Sequence, residues 1–396
     1  TVALPTKAEA NRPAVQSRNT SGPIIDMSHA AMAAPTEAMM AAYQSAMHAL
    51  PAYLSNHGVE PVGIAVLREA VARRFVERGL PTTAGQIMVT SGAQQALRLL
   101  LGTLISPGDR VLIDHPTYPN ALEALRRIGA GPVPVPIRPV GDPWDLDGIR
   151  SAARQTASKV AYMIPDFHNP TGRCLDDGGR SELARIARET SMTMIVDETM
   201  VDLWLDAPPP PPVASYGRVS GTDIVTIGSA SKSYWGGLRI GWIRANPALI
   251  SRLAGSRAGH DLGTSVMDQL AAGFLLEDAD AILDTRRDEL RERRDVLESA
   301  LAQHLPDWTY RRSTGGMSLW LQLPAPVSSA LAATAPTFGA VLAAGPRFGV
   351  EGAFERFLRM PYTREPAELT AAVAATAGAY QALAPNTDAE QPALVF

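Results

Sequence analysis

Lys232 stands in the segment Gly228-Ser229-Ala230-Ser231-Lys232-Ser233, followed at once by Gly236-Gly237-Leu238-Arg239-Ile240-Gly241. An amine set among hydroxyls, small residues and an arginine suits imine chemistry: the hydroxyls and Arg239 can clamp a dianionic phosphate while the amine reacts. Lysine otherwise occurs only at Lys7 and Lys159, both in polar stretches, in a chain whose basic residues are nearly all arginine. Three further groups have chemical potential. Thr90-Ser91-Gly92-Ala93-Gln94-Gln95 sits at a strand-to-helix turn, where free backbone N–H groups and the helix dipole favour an anion. Val196-Asp197-Glu198 closes an apolar strand, and a buried carboxylate there requires a cationic partner. Asp166-Phe167-His168-Asn169-Pro170-Thr171-Gly172 and Pro116-Thr117-Tyr118-Pro119 read as turns that present an amide donor, Asn169, and an aromatic ring, Tyr118. Each alone also fits a plainer role: a solvated lysine, a helix cap, an acidic cap, a turn. His115 and His168 are weaker candidates, suited to local hydrogen bonding.

These residues need elements to hold them. Apolar runs at 86–90, 110–114, 160–164, 193–196, 224–227 and 239–244 predict strands, and 3–4 spacing predicts helices at 93–101, 120–128 and 180–189. Such alternation specifies an α/β fold with a mostly parallel sheet wrapped by helices. A long Arg/Asp/Glu-rich helix at 281–304 links it to a smaller domain built from 308–323, 347–362 and a last helix at 366–383, with N-terminal residues folding back onto it. The proline run 208–212 reads as a rigid surface loop.

With 396 residues, 46% of them apolar, the chain can bury a large core, and a net charge of −4 gives no electrostatic reason to expect nucleic acid or an anionic membrane as partner. A lone cysteine, Cys174, excludes an intrachain disulfide and favours a reducing, cytoplasmic setting. No spanning segment or signal peptide is legible, and the histidines and cysteine show no metal-ligand spacing.

Taken together and in this order, the motifs resemble the fold-type I pyridoxal 5'-phosphate (PLP) aminotransferase family, class I/II, over nearly the whole chain. The resemblance implies a large domain with a seven-stranded-type, mostly parallel sheet and a smaller α+β domain, divided as an arm 1–22, a segment 23–60 packing on the small domain, a PLP-binding domain 61–295, a small domain 296–385 and a tail 386–396. It implies Lys232 as the Schiff-base lysine, Asp197 as partner of the pyridine nitrogen, Asn169 as donor to the phenolate oxygen, and Tyr118 as the stacking ring. Ser91, Gly92, Ala93, Gln94, Ser229, Ser231 and Arg239 would cradle the phosphate, with Thr199 beside the ring. Arg359, in Phe357-Leu358-Arg359-Met360-Pro361-Tyr362, matches the arginine that grips a substrate α-carboxylate, so an amino acid substrate is implied. A homodimer with shared sites is also implied, with the Gly263-Thr264-Ser265 turn reaching the partner's phosphate.

Two positions depart from the pattern. Thr199 and Met200 stand where a tyrosine usually follows the pyridine-binding aspartate, and Val59 follows His57-Gly58 where an aromatic would visit the neighbouring subunit, a role Tyr53 could take. Within the family, Gly92 to Leu97, Pro116 to Pro119 and Trp235 to Arg239 look most like the aminotransferase-like domains of MocR-type GntR regulators. The residues ahead of Asn56-His57-Gly58 leave no room for a winged helix, so a stand-alone enzyme is expected, performing transamination or related Cα, Cβ or Cγ chemistry. An effector-sensing regulator domain is the alternative.

Overall fold

Buried apolar strands build the centre of the molecule in a computed structural model that describes residues 24–138, 144–217 and 224–383. The expected arm 1–22, with Lys7, and tail 386–396 lie outside the described residues. Seven strands form the main sheet: β1 Ile87–Thr90, β2 Arg110–His115, β3 Gly131–Pro136, β4 Val160–Met163, β5 Thr193–Asp197, β6 Ile224–Ser229 and β7 Gly241–Arg244, ordered β1-β7-β6-β5-β4-β2-β3. Only β7 runs antiparallel to its neighbours; β6, β5, β4, β2 and β3 pair in parallel. Side chains alternate between the two faces, so Val111 and Ile113 join one core while Leu112 joins the other, and helices cover both.

Strand β3, Gly-Pro-Val-Pro-Val-Pro, was not expected, because proline cannot donate to a ladder. It sits at the sheet edge, where Gly131 N and Ile137 N donate to Asp109 O and His115 O at 2.9 Å. That parity turns the nitrogens of Pro132, Pro134 and Pro136 away from β2, so the prolines cost no hydrogen bond. The expected strand over 239–244 starts only at Gly241, because Arg239 adopts a left-handed turn conformation, φ 54°.

The helix Ala279–His304 is shared between domains: Leu283 packs in the large core, while Leu290, Leu297 and Leu301 pack in the small one. The change of core therefore falls within this helix, ahead of the expected division at 295. Segment 23–60 also divides, contrary to the expectation that it packs on the small domain. Ile25–Asp26 pairs with Ala340–Val341, and Met27, Ala30 and Met32 join the small core. Helix Thr36–Ala49 instead presents Met39, Ala42 and Ala46, spaced three and four apart, to the large core. Among the described residues no helix is long and apolar enough to cross a membrane.

Candidate active site

The carboxyl ends of β1, β4, β5 and β6 open onto one cavity of ≈ 200 Å³. Ligands of open α/β sheets bind at this end, where loops and helix N-termini converge. Lys232 enters from the short helix Ala230–Ser233 that follows β6 directly; Ser229 caps it, its Oγ accepting from Ser231 N at 3.1 Å. The Lys232 Nζ lines the cavity and donates to Ala30 O at 2.6 Å. Burial, reinforced by the Arg359 charge, pulls this amine down to about 8 from 10.5, partly offset by Asp197. It is thus poised between ammonium and nucleophile near neutral pH.

The anion cradle is built from two turns pressed together. Gly92 caps helix Ala93–Leu104 with φ 91°, and a Cβ there would lie 2.7 Å from Arg239 Nη2. A Cβ on Gly241 would meet the Gly92 carbonyl carbon at 2.6 Å. Only glycines allow this approach, which brings the free N–H groups of the helix start beside Arg239. Arg239 Nη2 donates to Ser91 O at 2.8 Å, Nη1 donates to Gly236 O at 3.3 Å, and among the described residues no carboxylate neutralises it.

Asp197 ends β5 and is buried, with Oδ1 accepting from Thr199 N at 2.9 Å and Oδ2 from the Tyr162 hydroxyl at 2.6 Å. Burial raises its pKa, and these hydrogen bonds oppose the rise. Tyr118 caps helix Pro119–Ile128, accepts from Asn120 Nδ2 at 2.8 Å, and forms a wall of the cavity. Asn169 lines the cavity, and its Oδ1 accepts from Arg359 Nη1 at 3.4 Å. Arg359 itself reaches in from the small-domain strand Phe357–Pro361, its guanidinium 5.1 Å from the Phe348 ring centre. Burial and the like charge of Arg347 pull it down to about 10, so its buried cation is short of an anion.

Of the residues singled out in the sequence, Ala93, Gln94, Tyr118, Asn169, Asp197, Thr199, Ser229, Ser231, Lys232 and Arg239 line this one cavity. Ser91 and Gly92 stand behind Arg239, and Arg359 contacts the site through Asn169. His115 and His168 do not line it; His168 is buried with Nε2 3.7 Å from Asp114. Thr264, expected to serve a partner, has its hydroxyl 3.5 Å from Ser91 Oγ of the same chain. Sequence reasoning missed Tyr162, hidden in an apolar strand, and the backbone of Ser28 and Ala30, for which composition carries no signal.

The residues fit PLP. Ser231 Oγ and Gln94 Oε1 are buried without a hydrogen-bond partner among the described residues, although both residues line the cavity. Such atoms call for a polar ligand. A cationic cradle for phosphate, a carboxylate for a ring nitrogen and a lowered lysine amine match the groups of this cofactor.

This sheet, with its one antiparallel strand and a lysine, a carboxylate and an arginine at its carboxyl edge, has the fold of the fold-type I PLP-dependent transferases. Residues 24–375 match the family Aminotransferase class I and II, and the chain belongs to that family. It is 31% identical over 68% of its length to an uncharacterised HTH-type transcriptional regulator of Bacillus subtilis, of which it spans 56%. It is 28% identical to the 2-aminoadipate transaminase of Thermus thermophilus, with 66% of each chain covered. The crystal structure of the Thermus thermophilus α-aminoadipate aminotransferase LysN, in complex with N-(5'-phosphopyridoxyl)-L-leucine, superposes with a TM-score of 0.83 at 26% identity, covering 91% of this chain and 92% of that one.

Proposed function

We propose that the chain is a PLP-dependent aminotransferase-type enzyme acting on an amino acid. The observation that carries the reading is the convergence of Lys232, Asp197, Asn169 and Arg239 on one cavity beside the under-neutralised Arg359. When bound, PLP supplies an electron sink for the charge left when a bond to Cα breaks.

The protein's part is binding, orientation and proton transfer. Arg359 offers two terminal nitrogens, now held by Asn169 Oδ1 and Ser28 O, and an Nε with no partner among the described residues. A substrate carboxylate would satisfy this buried cation bidentately and so fix the amino acid's orientation. With PLP bound, the Lys232 amine, once released from the cofactor, would move the proton at Cα, and Asp197 would pair with the ring nitrogen. Leu97, Ile164, Met200 and Ile227 give the cavity an apolar lining against which a ring can pack.

A homodimer belongs to the proposal. Met40 and Met47, seven apart on one face of helix Thr36–Ala49, are 58% and 63% exposed, and Leu54 and Leu262 are 69% and 62% exposed. A reducing, cytoplasmic setting is supported by the free thiol of Cys174. A second reading, an effector-sensing domain, is favoured by the similarity to regulators and by Met200 in place of the usual tyrosine. The two separate on incubation of the PLP-loaded protein with a panel of amino acids: stoichiometric keto acid release supports the enzyme, and binding without release supports the sensor.

A further inference from the structure

Tyr162 lies in β4 opposite Ile195 of β5, so Asp197, two residues further along β5, shares its face of the sheet. Its ring is 1% exposed, and its hydroxyl donates to Asp197 Oδ2 at 2.6 Å. Thr199 N takes the other oxygen at 2.9 Å. The two donors grip the carboxylate from its two sides and fix its rotamer. Tyr162 does not line the cavity.

We infer that Tyr162 is a positioning residue, holding Asp197 ionised and aimed into the cavity so that it binds the cofactor's ring nitrogen. The inference rests on the PLP reading above. Burial alone drives a carboxylate toward its neutral form, which could not retain a ring-nitrogen proton; a short hydrogen bond from a buried phenol favours the anion. The tyrosine is suited to the task because burial and the adjacent Asp197 push its own pKa well above the usual value, so it stays a donor. Other titratable groups facing Asp197 are Lys232 and Tyr118 across the cavity and Asp166, which is paired with Arg180 at 2.6 Å. A Tyr162→Phe exchange leaves all of these in place.

The test uses full-length Tyr162→Phe, with Tyr234→Phe as a control for loss of a buried hydroxyl away from the cavity. Tyr162→Phe is expected to weaken PLP binding to the cofactor-free protein about tenfold in equilibrium dialysis, the effect of one charge-assisted hydrogen bond. In the loaded enzyme, kcat should fall at least tenfold with KM for the amino acid within about twofold, and the acid limb of the kcat profile should move to higher pH. Tyr234→Phe should change none of these. PLP affinity and acid limb equal to wild type in Tyr162→Phe would overturn the inference, as would equal losses in both variants. Wild-type protein that binds no PLP would instead refute the reading on which it rests.

Discussion

Arg239 Nη2 and the Ser91 carbonyl lie 2.8 Å apart, tying the turn after Lys232 to the turn before helix Ala93–Leu104. This tie joins the two turns of the proposed phosphate site, and its weak point is Gly92, where a Cβ would strike the same Nη2 and where φ is 91°. Gly92→Ala should therefore lower PLP affinity by at least tenfold, read by dialysis, and cost about 1–3 kcal/mol of stability from backbone strain, read by urea unfolding.

Lys232 carries a measurable cost in the cofactor-free protein. Its folded-state amine is lowered to about 8 against 10.5, so between these values the unfolded chain binds more protons and stability rises with pH. Below about 8 the penalty is complete. Lys232→Met should stabilise cofactor-free protein at neutral pH by roughly 3 kcal/mol, a gain that fades as pH rises from about 8 through the ordinary lysine value of 10.5. Urea unfolding of both proteins across pH checks the sign: a gain that grew with pH would contradict it.

Arg359→Lys keeps a charge but loses the fork. KM for amino acids should rise roughly 10- to 100-fold while PLP affinity stays near wild type, since Arg359 does not line the cavity and lysine keeps the positive charge felt by Lys232. Steady-state kinetics with a fixed keto acid, together with dialysis, separates the two effects.

The exposed Met47 and Leu54 supply the test of assembly. Met47→Glu combined with Leu54→Glu should convert a dimer to a monomer in light scattering, because each places a charge where apolar surface would be buried. Wild type that is already monomeric with PLP bound would contradict the proposed dimer.

The residues that meet at the cavity were well signalled in the sequence. Glycines that must take unusual conformations, the lone Lys232 among hydroxyls, and Asp197 at the end of an apolar strand each carry meaning in a few consecutive letters. The helix Pro366–Leu383 appears with the expected bounds because its punctuation is explicit. What stayed hidden depends on the third dimension. Strand β3 is disguised by prolines that only an edge position tolerates, and Tyr162 acquires its partner only through the register of β4 on β5. The division of segment 23–60 between two cores, and the carbonyls of Ser28 and Ala30 at the site, are likewise consequences of tertiary packing.

The central claim is that Lys232 holds PLP covalently. Its most direct test is to incubate the protein with PLP, reduce with borohydride, and map the modified peptide by mass spectrometry. The account predicts an absorbance band at the visible edge before reduction and one phosphopyridoxyl group on Lys232 afterwards, both lost in Lys232→Ala. Label on Lys7 or Lys159 instead, or undiminished labelling of Lys232→Ala, would contradict it.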